Sequence, residues 1–210
     1  MLIPDLFQKW SISPKGIIHI GAHKCEERDI YKNCGCDDSK VIWIEGNKEL
    51  YDEMKSKLPT IQIYNGIIAD CIKTVDFIVT NNDGMSSSFL ELKEHLVSHP
   101  DCLEAKRFTN VTSTTLMNLV SDNSINMNQY DFLVMDIQGA ELHALKGMVD
   151  ILNHFKGMYI EVNTKEMYSG CGLLDEVKNF LRAHGFELVD MFVYDHLGWG
   201  DAYFSRNNNS

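Results

Sequence analysis

Short apolar runs alternating with helix-patterned segments constrain this chain more than any other feature. "GIIHI" (16–20), "VIWIE" (41–45), "IQIYNGIIA" (61–69), "DFLVMD" (131–136) and "MYIEV" (158–162) are rich in β-branched and large apolar side chains, and all are short enough for buried strands. Between them the helical period takes over. "NKELYDEMKSKL" (47–58) places Leu50, Met54 and Leu58 on one face, and "EERDIYKNC" (26–34), "AELHALKGMVDILNHF" (140–155) and "LLDEVKNFLRAHG" (173–185) also read as helices, the last ending at Gly185 as a C′ glycine. Strands apolar on both faces, separated by helices, predict an α/β protein with a mostly parallel sheet and helices on both faces. "VDFIVT" (75–80) and "RFTNVTS" (107–113) read as antiparallel additions, and "FELVDMFVYD" with "DAYFSR" as a terminal antiparallel pair. Segments 81–106 and 121–130 read as loops; the first holds "NNDGMSSS", polar enough to cover a pocket. The terminal "NNNS" (207–210) reads as frayed.

At 210 residues the chain fits a single domain over 1–210. Its formal charge of −11 disfavours binding to phosphate backbones, so no nucleic-acid partner is expected. No apolar run approaches the ~20 residues of a membrane span, and the opening "MLIPDLFQKW" carries an early acid and no long apolar stretch, so a cytoplasmic protein without a membrane partner is expected. The six cysteines are then expected to be reduced thiols. His23, Cys25, Cys34 and Cys36 lack the paired C-x-x-C spacing of a structural zinc site.

In open α/β sheets ligands bind beyond the carboxyl ends of the strands, near the point where the strand order reverses. The first strand runs into "HIGAHKCEE", which has Gly21 but not the second and third glycines that let a backbone approach a pyrophosphate, so a dinucleotide is disfavoured. The second strand ends in Glu45, roughly two dozen residues on, near the ~20-residue spacing of an acid that grips ribose hydroxyls. "NGIIAD" supplies Asp70 to accept from an adenine amino group. The set suits a nucleoside without phosphates, with S-adenosylmethionine (SAM) as the candidate.

In order along the chain, "IIHIGAHKCEERDIY", "VIWIEGNKELYDEM", "NGIIAD", "NNDGMSSSFL", "TSTTLMNL", "YDFLVMDIQGAELHALKG", "YIEVNTKEMYSG", "FLRAHGFELV" and "GWGDAYFSR" resemble the FkbM-type SAM-dependent methyltransferases over nearly the whole sequence. The resemblance implies a Rossmann-like class I methyltransferase fold, a seven-stranded sheet with its last strand antiparallel, and methyl transfer to oxygen, often on a sugar. It implies that Gly21 passes the methionine part of SAM, that Glu45 holds the ribose and Asp70 the adenine edge, and that Ser86, Ser87 and Ser88 line the pocket. Asp136 and Glu141 belong to its central motif, Glu161 ends the next strand, and Trp199 and Asp201 belong to its C-terminal motif. Cys25 stands where a glycine is common, and Gln138 where many members carry Glu.

An alcohol is a poor nucleophile, so a base or a metal is expected beside the acceptor. Asp136 is the first choice for base, and it also borders the cofactor; its bland alternative is a cap on the following helix through the amides of Gln138 and Gly139. Asp136 and Glu161 at neighbouring strand ends are a catalytic pair that a divalent ion can bridge. His23 is a second base, a wall of the cofactor pocket or a neutral structural histidine, and His143 is structural. Gln138, His196 and Trp199 are the candidates for touching the acceptor, a sugar, glycan or other small-molecule hydroxyl; Trp199 alternatively anchors the terminal strands. The serine run lacks a His–Asp partner, which argues against a hydrolase. A SAM- or nucleoside-binding module without catalysis is the competing class.

Overall fold

The computed structural model describes residues 3–206; the "NNNS" expected to fray lies outside them. The elements follow in the order α1 (Ile3–Lys9), β1 (Ile17–Ile20), α2 (Arg28–Asn33), β2 (Val41–Glu45), α3 (Lys48–Lys57), β3 (Gln62–Asn65), β4 (Thr74–Thr80), α4 (His95–Ser98), β5 (Glu104–Thr112), α5 (Leu116–Asp122), β6 (Phe132–Met135), α6 (Glu141–Lys146), β7 (Gly157–Asn163), α7 (Leu174–Ala183), β8 (Phe186–Tyr194) and β9 (Trp199–Arg206). Seven strands form one sheet in the order β3-β2-β1-β6-β7-β9-β8. From β3 to β7 all neighbours are parallel; β9, the last strand, inserts antiparallel between β7 and β8. This is the expected mostly parallel sheet with one antiparallel strand. The order reverses between β1 and β6, the switch point where a crevice opens.

Each central strand is buried on both faces because its alternate residues enter two different cores. Ile18 and Ile20, Ile42 and Ile44, and Leu133 and Met135 pack with Leu116 and Leu119 of α5, Leu142 and Leu145 of α6 and Leu181 of α7. Ile17, Trp43, Val134, Tyr159 and Tyr203 face the other way, against Leu6 and Phe7 of α1, Tyr31 of α2 and Met54 of α3. Fully burying one such aliphatic side chain contributes about 1.5–3 kcal/mol, so both layers are needed to hold the sheet.

The structure departs from the sequence reading in four places. β3 stops at Asn65; Ile68 instead bridges Thr114. The helix expected over 140–155 ends at Lys146 and resumes as a 3-10 turn, Val149–His154. Gly147 breaks it because the loop after β3 comes close: a Cβ there would lie 2.2 Å from the Ala69 carbonyl oxygen. β4 and β5 do not extend the main sheet but pair with each other in a separate ribbon, and Glu104, Ala105 and Lys106 of β5 are exposed, as a central strand cannot be. Finally, the segment read as loop over 81–106 contains α4 and the start of β5, and its Ser88 bridges Ile78 of β4. The α7 stop is as expected, with Gly185 at φ +83° and its N–H bonded to the Arg182 carbonyl. Among the described residues no helix is long and apolar enough to cross a membrane.

Candidate functional site

Strand parity explains the polar residues at the sheet's edge. On the face that carries Trp43, Val134, Tyr159 and Tyr203, the next positions toward the open end are Glu45, Asp136, Glu161 and Asp201, with Gly21 following His19 on β1. Five adjacent strands thus present a row, Glu45–Gly21–Asp136–Glu161–Asp201, where the apolar core ends. The row borders a cavity of about 480 Å³, within the range of small-molecule sites. It is also lined by Ile67, Ile68 and Phe77 after β2 and β3, by Met85, Ser87, Ser88 and Phe89 of the covering segment, and by His19, Glu27 and Tyr159 below the row. Six carboxylates line it and no Lys or Arg does.

Gly21 is required by a close approach. Its φ is +89°, and a Cβ there would lie 1.8 Å from the Asp136 carbonyl oxygen, so β1 and β6 meet only if this position has no side chain. The turn that follows is held by Glu45, which accepts from the His23 N–H at 2.7 Å and the Asn47 N–H at 2.7 Å. Burial, opposed by these bonds, pushes the Glu45 carboxyl up to about 7. Each oxygen keeps a lone pair for a further donor. His23 (φ 43°) sits between the Glu26 carboxylate at 2.7 Å and the Asp83 carbonyl at 2.9 Å. The ring thereby ties the first turn to the covering segment. Cys25, where a glycine is common, adopts the left-handed φ of 57° that glycine accepts most easily.

The acid pair has a different organisation from a helix cap. Glu141, not Asp136, caps the turn before α6, accepting from the amides of Ile137 at 2.9 Å and Gly139 at 3.3 Å. Asp136 is left facing the cavity. The Gln138 side-chain amide lies between the two acids, donating to Asp136 Oδ1 at 2.6 Å and to Glu161 Oε2 at 2.8 Å. Burial, then the neighbouring Asp136 and Glu141 charges, push Glu161 well above the usual carboxylate range. Of the two acids Glu161 is the buried one, and Asp136 is the one exposed toward the cavity. Asp201, pushed up to about 6 chiefly by burial, hydrogen-bonds Tyr159.

Several expected residues lie elsewhere. Asp70 is not part of the cavity lining; Lys73 holds its carboxylate at 2.6 Å and lowers it. Ser86 is buried and accepts from Asn82, whereas Ser87 and Ser88 reach the cavity. His196 is exposed on the β8–β9 turn, and Trp199 packs against Tyr194 with ring centroids 4.8 Å apart and planes tilted by 48°, beside Met167, Tyr168 and Cys171; neither lines the cavity. His143 bonds the Gly170 carbonyl. The proposed ion between Asp136 and Glu161 finds no third ligand: among the described residues no group of three or more His, Cys, Asp or Glu is placed to hold a metal, and this applies equally to His23, Cys25, Cys34 and Cys36. The Gln138 amide instead bridges the two acids. His19, Glu27, Tyr159 and Tyr168 were not anticipated. Parity was the available signal, since His19 and Tyr159 precede Gly21 and Glu161 by two on the same strands.

The buried acids make stability fall with pH. Burial raises Glu45 and Glu27 to about 7 and Glu141 to about 8, above the ordinary value of 4.5. The unfolded chain loses these protons first, so their contribution is complete below about 4.5 and is lost as pH rises through about 7 to 8. The thermal midpoint is expected to be higher at pH 5 than at pH 8, and Glu141→Gln to flatten that slope in a melting series; an unchanged slope refutes the assignment.

The fold and the strand-end cavity define a Rossmann-like protein of the methyltransferase type. Residues 19–188 match the methyltransferase FkbM domain, and the chain belongs to that family. No curated protein sequence matches it. Similar solved structures include a protein of the NADB-Rossmann superfamily from Streptococcus agalactiae (TM-score 0.54, 11% identity, covering 100% of this chain and 70% of that one). A TehB-like SAM-dependent methyltransferase from Corynebacterium glutamicum has TM-score 0.50 and 11% identity, covering 97% and 87%. Magnesium protoporphyrin IX methyltransferase from Synechocystis, with bound SAH, has TM-score 0.50 and 8% identity, covering 98% and 80%. At these identities the likeness concerns the fold.

Proposed function

We propose that the protein transfers a methyl group from SAM to a hydroxyl oxygen of a neutral, polyhydroxylated acceptor such as a sugar or glycan. The observation that carries this is the Asp136–Gln138–Glu161 set at the switch point, an acid open to the cavity joined through an amide to a buried one. The lining fits SAM in three respects. Gly21, Gly46 and Gly66 leave the strand tips free of side chains, Ile67, Ile68 and Phe77 form an apolar wall for a base, and Glu45 retains lone pairs for ribose hydroxyls. An excess of carboxylates suits a sulfonium cation. When bound, SAM supplies an electrophilic methyl group and sulfur as leaving group.

The chain's own residues then have two tasks. Asp136 accepts the hydroxyl proton, and the cavity walls align the acceptor, an alignment that can contribute ~7–11 kcal/mol. The Gln138 amide, donating to both acids, offsets negative charge between them, and the upward push on the buried Glu161 carboxyl acts in the same sense. With no Lys or Arg in the lining, acceptors bearing phosphate or carboxylate groups are disfavoured. The test is incubation with isotope-labelled SAM and a panel of neutral sugars, oligosaccharides, sugar phosphates and small alcohols, read by mass spectrometry. SAM binding without transfer to any acceptor would instead support the non-catalytic module.

Cofactor contacts are separable by calorimetry. Glu45→Gln keeps one acceptor oxygen for the His23 and Asn47 amides but loses the other, and is expected to weaken SAM binding by about 10-fold or more. Asp70→Asn is expected to change it by less than about 2-fold, given its place outside the lining. Equal effects would restore Asp70 to the cofactor site.

A further inference from the structure

We infer that Tyr168, which does not line the cavity, is a positioning residue for the Asp136–Glu161 pair and acts through Gln138; its consequence for catalysis rests on the function proposed above. The Tyr168 hydroxyl donates to Gln138 Oε1 at 2.6 Å, and the same amide's Nε2 donates to both acids. All three capacities of the amide that face the site are used, so its plane and reach are set from both ends. The Ser86 carbonyl, at 3.5 Å, is the hydroxyl's distant alternative, and a hydroxyl has a single proton to give.

The backbone is shaped for this contact. Gln138 adopts φ 56°, a left-handed conformation that is unfavourable for a residue with a side chain. The next residue, Gly139, has φ +90°, and a Cβ on it would meet Tyr168 Cδ2 at 2.8 Å and Tyr168 Cβ at 3.0 Å. The turn after β6 is thus open at the one place the tyrosine ring occupies. Tyr168 is 1% exposed, and burial raises its hydroxyl well above the ordinary range, so it remains a donor. It is also tied to the covering segment: Leu92 and Tyr168 form a backbone bridge, and Lys93 and His95 donate to the Met167 carbonyl. The tyrosine therefore joins the cover of the cavity to its acid pair.

The first measurement needs no acceptor. In nitrogen-15 NMR spectra the Gln138 side-chain amide, assigned by its loss in Gln138→Leu, is expected to show two downfield, slowly exchanging protons. Tyr168→Phe is expected to shift them upfield and speed their exchange while SAM affinity changes by less than about 3-fold. Unchanged amide signals overturn the proposal, as does a signal change accompanied by loss of the whole folded spectrum in both Tyr168→Phe and Gln138→Leu. With an acceptor from the panel, Tyr168→Phe is expected to lower kcat by about 10-fold at little change in KM for SAM, and to add nothing in the Gln138→Leu background. Additive losses overturn it. If the amide signals respond but no acceptor is methylated, the positioning role stands and the proposed reaction falls.

Discussion

Asp136→Asn is expected to lower methyl transfer by about 10²–10⁴-fold, the usual contribution of a general base, while the fold and SAM affinity stay nearly as they are. The substitution is close to isosteric. Its amide oxygen still accepts from the Gln138 amide, and its amide nitrogen meets Glu161, which sits buried across the same bridge. What disappears is the group able to take a proton. The alternative assignment, Glu161 as the base, is less favoured by its environment: burial and the charge of Asp136 push its carboxyl well above the ordinary range, and it is buried where Asp136 is exposed. Glu161→Gln should accordingly reduce the rate less than Asp136→Asn. Initial rates with labelled SAM, alongside calorimetric SAM affinities, decide the matter. A fully active Asp136→Asn enzyme removes Asp136 from the chemistry.

Gly21→Ala is expected to be the most destabilising single methyl added at the site, by about 3 kcal/mol or more. Two effects combine. The left-handed backbone at φ +89° penalises any side chain, and the new Cβ would fall 1.8 Å from the Asp136 carbonyl oxygen and 2.7 Å from its carbonyl carbon. Relief requires β1 and β6 to separate at the tip that carries Asp136. For a chain of this length the thermal midpoint should fall by roughly 6–12 °C. Gly35→Ala is the control, because Gly35 has φ +87° and nothing within 4 Å of its would-be Cβ. Similar melting points for the two variants would show that conformation alone, and not the strand contact, requires Gly21.

Both results depend on features with different visibility in the sequence. The strands "GIIHI", "VIWIE", "DFLVMD" and "MYIEV" were legible because two-sided burial demands apolar residues at every position, and the acids at their ends stand out against that background. Asp136 and Glu161 could therefore be paired before any coordinates. Asp70 could not be excluded on the same grounds. The chain after β3 packs its Ala69–Asp70 backbone against Gly147, far along the sequence, and Lys73 holds the Asp70 carboxylate outside the cavity. Trp199 and His196 likewise look available in sequence, but Trp199 is taken up by Tyr194 and the cluster around Tyr168.

The chain's own pattern, then, determined the layered α/β architecture, the strand-end location of the site and the acids that mark it. Those follow from local periodicity and from the cost of burying polar groups, which act on neighbouring residues. Tertiary structure alone decided that Glu141 rather than Asp136 caps the turn, that Gln138 bridges the acids, and that Tyr168 reaches Gln138 over Gly139. Each of these is a hydrogen bond or close approach whose partner is chosen by how strands and loops stack in three dimensions, and the spacing of residues along the chain carries no record of that choice.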